Sequence, residues 1–323
     1  DAVALNFETL IANGQGLTVV GLDTVNIWTE LRVDNGNFNA SATRLNLRSD
    51  ASGTARLGPV VAPDTYTGTL TLERYIPAGV TNWRSLACPI VGKNVASWKD
   101  DFYTAGFPGS HFPGFTVGGN PWPSIRHYNE ANLGPLIADG LVGVTGTGQQ
   151  LTLGKGFTAW AGDNLNTTNS FIIEVTGVPN IAGTPFTLPM SWNNTGVGAT
   201  DGWNLVGNPL PSPIDFTDLS LGADVDNFYY VFNPASGNNV TWDEGLGLSI
   251  PGGLLNGNIQ SSQGFWLKAN GLAVTTTVDE TAKVLDAASG GLFEQNAPQP
   301  MFRVEIASGI NTFFDETVVH FGS

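Results

Sequence analysis

The sequence predicts an all-β protein: a short N-terminal β-solenoid-like strand stack followed by a duplicated antiparallel β-sandwich-like body. Three observations carry that prediction. Glycine (41) and proline (19) are abundant in a chain of 323 residues, without a collagen period, as many turns between short strands require. Near the N-terminus, short apolar-polar-apolar triplets recur between turn residues, which is strand patterning. And the phrase NWRSLACPIV at 82–91 is echoed by GWNLVGNPLP at 202–211. The length suits two or three domains, and 41% hydrophobic residues supply a core.

The triplets LTV (17–19), LRV (31–33) and LNL (45–47) recur every 14 residues, a spacing that suggests stacked solenoid turns. Three rungs are few, so the stack is expected to lean on the β unit beyond it. The alternative is a meander of ordinary hairpins. Next, YTGTLTLERYIP (66–77) sets Leu70, Leu72 and Arg74 against Thr71, Glu73 and Tyr75, a strand ended by Pro77. The expected division is therefore a β-rich stack at 1–72, a first β unit at 73–199, and a second at 200–323 that closes with a strand pair.

Three landmarks recur in order across the two units. Trp83 matches Trp203, HYNEA (127–131) matches VFNPA (231–235), and GKGFTAW (154–160) matches SQGFWLK (262–268). The offsets are 120, 104 and 108 residues, so strands persist while loops drift in length. Trp160 and Trp266 are roughly paired by this scheme. Between the units, Ile172, Ile173 and Val175 mark a strand. ETAKVLDAASG (280–290) reads as a short helix stopped by Gly290. The close alternates Phe302, Val304 and Ile306 against Arg303 and Glu305, then resumes at 318–322 as a second strand.

Composition excludes several classes of function. Thirteen Lys+Arg against 28 Asp+Glu give a net charge of −15, which repels phosphate backbones and anionic lipid. Nucleic acid and membrane are poor partners for such a chain. No apolar run approaches the length that spans a bilayer. No signal peptide is visible at Asp1, so an exported form would begin after cleavage. The single cysteine, Cys88, reads as a small buried residue, and Asn208 stands at its place in the second copy.

Several phrases together resemble large secreted and cell-surface proteins of Bacteroidetes-type bacteria: LRSDASGTARLG (47–58), GWNLVGNPLPSPIDF, DVDNFYYVFNPASG, SQGFWLKA and the closing FRVEIASG with FDETVVHFG. Those proteins leave the cell by the type IX secretion pathway, and many are adhesin-like. The resemblance implies an extracellular or cell-surface location. In such proteins further sequence and a C-terminal sorting domain come after the DETVV strand, whereas this chain stops at Ser323.

Catalytic patterns are sparse. His111, His127 and His320 fall in no metal spacing, and no nucleophile elbow or P-loop occurs. A glycosidase needs two carboxylates across a cleft. Asp100–Asp101 and Asp243–Glu244 are strand-adjacent and point apart, and of Asp215 and Asp226, which lie near the repeated landmarks, Asp215 has no carboxylate to match it in the first copy. The chain is therefore expected to be no enzyme and to need no cofactor, calcium aside. Asp224, Asp226 and Asn227 form an oxygen-rich turn of the kind that binds calcium; the alternative is that Asp226 and Asn227 cap the turn by bonding backbone amides. Among nine tryptophans, Trp98, Trp122 and Trp242 are unpaired by the duplication and sit in Gly/Pro-rich loops, as candidates for stacking on glycans. DTV (23–25) and DTY (64–66) resemble the short O-glycan acceptor motif of these bacteria, with Thr24 and Thr65 as acceptors. The expected function is that of a non-catalytic extracellular structural or adhesion protein, a surface adhesin module or fibre subunit whose partners are copies of itself, other surface proteins or glycans. The alternative is a carbohydrate-binding module of a secreted polysaccharide-degrading protein.

Overall fold

The computed structural model describes residues 4–284 apart from 15, 133 and 165, with residues 20–23, 301–307 and 314–320 described through their backbone alone. Strands dominate; the helical pieces among the described residues are the four-residue Ala96–Lys99 helix and three 3-10 turns. The expected all-β class holds. The short helix expected at 280–290 does not: Glu280–Ala282 form one 3-10 turn capped by the Asp279 carboxylate, Lys283 returns to extended backbone, and 285–290 lie outside the described residues.

The N-terminal stack is built from three parallel strands, β1 (Ala4–Asn13), β2 (Leu17–Asp34) and β3 (Asn37–Leu47). Its rung differs from the 14-residue rhythm. LTV and LRV both lie within β2, so they are not successive turns. What stacks is LNF (5–7), VNI (25–27) and LNL (45–47). Leu5, Val25 and Leu45 form one column, and Phe7, Ile27 and Leu47 another. Between them Asn26 donates to Asn6 (3.1 Å) and Asn46 to Asn26 (3.0 Å), an amide ladder with a 20-residue step on the outer side. A rung is set by which side chains continue a column, and an apolar triplet alone does not specify that.

The expected boundary at 72 falls inside a strand. Leu70–Ile76 runs parallel to β3 through Asn46–Thr71 and Leu47–Leu72, and antiparallel to Phe171–Gly177. One hydrophobic core accordingly spans the stack and the first unit, from Ala12 to Val175; a second lies in the second unit, from Ala182 to Ala282, and a small third joins Tyr128 to Leu205 and Trp266 across the two units. The stack leans on the first unit by sharing its core, as its few rungs demand.

The duplication is visible as matching register. In the first unit the sheet order is Asn82–Leu86, Phe157–Ala161, Ile125–Tyr128, Leu141–Gly143. In the second it is Trp203–Gly207, Gly264–Lys268, Phe228–Asn233, Asn238–Asp243, Leu248–Ile250. Leu86 faces Phe157 as Val206 faces Phe265, and Arg126 faces Thr158 as Tyr230 faces Trp266. Trp83 and Trp203 occupy equivalent, half-buried positions, each with a cation over its ring: Arg126 at 4.6 Å and Lys268 at 5.6 Å. The counterpart of Trp160 is Lys268, however, since Trp83 faces Trp160 and Trp203 faces Lys268. Trp266 sits two residues earlier, buried against Tyr128 of the first unit. Cys88 and Asn208 are both buried; the Asn208 amide donates to Ser212, Ile259 and Gln260 carbonyls, while burial pushes the Cys88 thiol up to about 11.

The two units meet through a reciprocal backbone contact. Leu86 bridges Gln263, and its counterpart Val206 bridges Lys155, the counterpart of Gln263. Ala87 N–H donates to Ser262 C=O at 2.8 Å, and Gly207 N–H to Gly154 C=O at 2.8 Å. This is a pseudo-twofold arrangement. At its centre a Cβ on Gly156 would lie 2.4 Å from Val206 O, and one on Gly264 2.9 Å from Leu86 O. Buried charges then fasten the stack to the second unit. Arg74, fully buried, donates to Thr54 Oγ1 (3.0 Å), Ser261 O (2.6 Å) and Ser261 Oγ (2.8 Å). Glu280 accepts the N–H of Val60 (2.8 Å) and Ala182 (2.9 Å) and pairs at 2.7 Å with Lys283, whose ammonium donates to Gly58 O. At the C-terminal end Met301–Ala307 and Phe314–His320 form the expected antiparallel strand pair.

Two substitutions probe this packing. Gly156→Ala forces the units apart and lowers unfolding free energy by about 1–3 kcal/mol in denaturant titrations, while Gly148→Ala, where a Cβ meets open space, changes little. Lys283→Met leaves the Glu280 carboxylate buried without its cation and costs about 3–5 kcal/mol by the same measurement; a loss within scatter would show the pair is dispensable.

Candidate functional site

The first unit carries an aromatic groove on its surface. It begins with a cross-strand pair: Trp83 faces Trp160, with ring centroids 5.5 Å apart, edge to face. Trp122, from the long 100–124 loop, rests on both at 5.3 and 5.6 Å, and Phe115 packs on Trp122 at 5.7 Å. Arg126 backs the cluster, its guanidinium over Trp83 and Trp122, with Nε tied to Pro123 O at 3.0 Å. Edge-to-face rings with a cation behind them hold one arrangement, each aromatic pair adding about 0.5–1.5 kcal/mol beyond burial.

The loop that completes the groove is shaped by its backbone. Gly106 sits at φ +79, and a Cβ there would lie 2.0 Å from Trp122 O, so no other residue fits. Ala105 N–H donates to Ser124 Oγ (2.8 Å), Ser124 N–H returns to Ala105 O (2.9 Å), and Trp160 N–H reaches Ser124 O (2.7 Å). A two-residue Gly118–Gly119 turn, with φ of +60 and +81, joins Thr116–Val117 to Asn120–Pro121. The result is a cleft of about 540 Å³ walled by Tyr103, Phe112, Phe115, Trp122 and Trp160, with Asp163 and Asn164 at one end. Tyr103 and Phe112 are each 53% exposed. The counterpart loop of the second unit is shorter, which is what the drop in offset from 120 to 104 records. There the equivalent strand end holds a smaller, polar hollow of about 230 Å³ beside Trp192, Lys268 and Asn270.

Of the three candidate tryptophans, only Trp122 lines this groove. Trp98 is a correction: it is 1% exposed, packed edge-on against Phe157 at 5.7 Å. The helix Ala96–Lys99 turns Trp98 into the core. Trp242 lies in the other unit, half-buried beside Gly257, its Nε1 donating to Glu244 at 2.9 Å. The structure thus separates the three. Tyr103, Phe112, Phe115 and Trp160 were missed as groove residues, although the density of aromatics in FYTAGFPGSHFPGF was the available signal.

The oxygen-rich turn is occupied by its own chain. Asp224 accepts Ala273 N–H (2.9 Å), Asp226 accepts the Asn270 amide (2.5 Å), and Asn227 O accepts Glu244 N–H (3.3 Å). Among the described residues no group of three or more His, Cys, Asp or Glu stands placed to hold a metal. The Asp224 and Asp226 carboxylates tie the 270–273 turn to the sheet. Thr65 is exposed and donates to Asn37 Oδ1 at 2.7 Å; Thr24 is half-buried in β2. His127 is a strand residue whose pKa burial depresses to about 4.

Asp101 is a strongly perturbed carboxyl. Burial pushes it up to about 7, the Glu174 N–H it accepts at 3.0 Å opposes this, and the charges of Asp100 and Glu174 reinforce it. It does not line the aromatic groove. The folded pKa lies above the unfolded value near 4, so stability from the protonated form is full below that value and is lost as pH rises to about 7. Asp101→Asn abolishes this dependence: thermal melts show the variant gaining on the parent between pH 4 and pH 7, and parallel curves would refute the assignment. No family model, characterised protein or solved structure matches this chain.

Proposed function

We propose that this chain is a non-catalytic adhesion protein of a bacterial cell surface, with the aromatic groove as its contact surface. One observation carries this: a longer loop in only one of two equivalent units leaves Tyr103, Phe112, Phe115 and Val117 exposed beside a fixed tryptophan cluster. Contiguous exposed aromatics are costly in water and mark interaction sites. The second unit keeps the same sheet register with a shorter loop. An extracellular location is supported by the acidic, sparsely charged composition, the lone buried cysteine and the resemblance to secreted surface proteins. Copies of the chain and other surface proteins are further partners, since β1 is the outer strand of its sheet among the described residues and an open edge accepts added strands.

The second reading, a carbohydrate-binding module of a polysaccharide-degrading protein, draws on the same groove. The two differ in what is bound, whole surfaces or isolated polysaccharide.

The test is attachment of protein-coated beads to intact bacterial cells and to mucin-coated plates. Replacing Tyr103 and Phe115 by alanine, both exposed rings, is expected to cut attachment on the order of tenfold with circular dichroism unchanged. Undiminished attachment by the double variant would sink the proposal.

A further inference from the structure

We propose that the groove takes a neutral, hexose-type glycan rather than an acidic glycan or an apolar peptide; this names the ligand class of the adhesion site and rests on that reading. The rings of the groove are set before a ligand arrives. Trp122, Trp160 and Phe115 are locked edge to face, with Arg126 behind them, so their positions are fixed before any ligand arrives. The C–H face of a pyranose carries partial positive charge and stacks on the negative face of such rings. Preset rings lose little side-chain entropy on binding.

Next comes the polar end. Asp163 and Asn164 lie on the turn after the Phe157–Ala161 strand, directly beyond Trp160. Hydrogen bonds from Thr168 and Asn169 hold the Asp163 carboxyl below the usual carboxylate range, so it is an ionised acceptor at neutral pH. A carboxylate accepts from neighbouring sugar hydroxyls, and a side-chain amide both donates and accepts. A purely apolar peptide would strip water from the Asp163 oxygens and offer no hydrogen bond in its place.

The last argument is charge. Among the described residues no Lys, Arg or His lines the groove; Arg126 lies behind the rings, and the whole chain carries −15. A uronate or sulfate would meet Asp163 with no cation between them. The cleft of about 540 Å³ is of the size that small ligands fill. The equivalent hollow of the second unit carries Lys268 where the groove has Trp160, so the duplicated scaffold supplies its own control.

The test is a titration of the full chain with cellohexaose, mannohexaose and galactohexaose, and with oligogalacturonate and a heparin hexasaccharide, read by tryptophan emission and calorimetry. Saturable binding of at least one neutral oligosaccharide is expected. Tyr103→Ala and Phe115→Ala weaken it on the order of tenfold, Asp163→Asn weakens it less, and Trp192→Ala in the other hollow leaves it unchanged. No saturation by any neutral probe, equal or tighter binding of the acidic probes, or undiminished binding by the Tyr103 and Phe115 variants each overturns the assignment. If those variants lose bead attachment while no neutral probe binds, the ligand class is wrong and the adhesion role stands. If neutral binding depends on the groove while bead attachment does not, the adhesion role is wrong and the glycan assignment stands.

Discussion

Everything in the body depends on how closely the two units approach at Gly156 and Gly264. Backbone meets backbone there, with Gly156 N–H donating to Leu205 O at 3.1 Å and Leu86 bridging Gln263. A side chain at either glycine would hold the sheets apart by the width of a methyl group. Because the contact is reciprocal, it fixes both sheets at once. Trp83 and Trp160 of the first unit and Trp203 and Lys268 of the second then occupy equivalent positions in their sheets.

Polar burial does a different job. Arg74, Glu280 and Lys283 each make at least one hydrogen bond to a backbone carbonyl or amide more than 180 residues away in the chain. Such groups add little net stability compared with apolar packing of the same volume, because their desolvation offsets much of their attraction. What they select is one docking of the stack on the second unit, since a shifted arrangement would strand a charge. The amide ladder of Asn6, Asn26 and Asn46 selects the rung register in the same way.

Against that rigid background the groove is an addition. Its rings contact each other, and its wall is a loop braced by Gly106 and Ser124. The sheet register beneath it is the same as in the unit without it. The equivalent strand ends differ in two ways: one carries Trp160 and a long loop, the other Lys268 and a shorter one.

The sequence by itself determined the strand class, the duplication and its order, because period-two patterning and turn residues are local properties that a repeated phrase doubles. It also held the solenoid step in LNF, VNI and LNL, but the competing 14-residue rhythm was equally regular, and only backbone stacking distinguishes them. It placed Trp122, Trp98 and Trp242 on equal terms. Tertiary structure separated them, since a loop tryptophan is exposed or buried according to which distant strand the loop crosses: Phe157 for Trp98, Trp83 and Trp160 for Trp122. The fate of Asp224 and Asp226 was likewise decided by partners near 270, some 45 residues away. Local chemistry writes strands and turns into the chain; which side chains share a cleft is a matter of long-range packing, and no short stretch of sequence contains it.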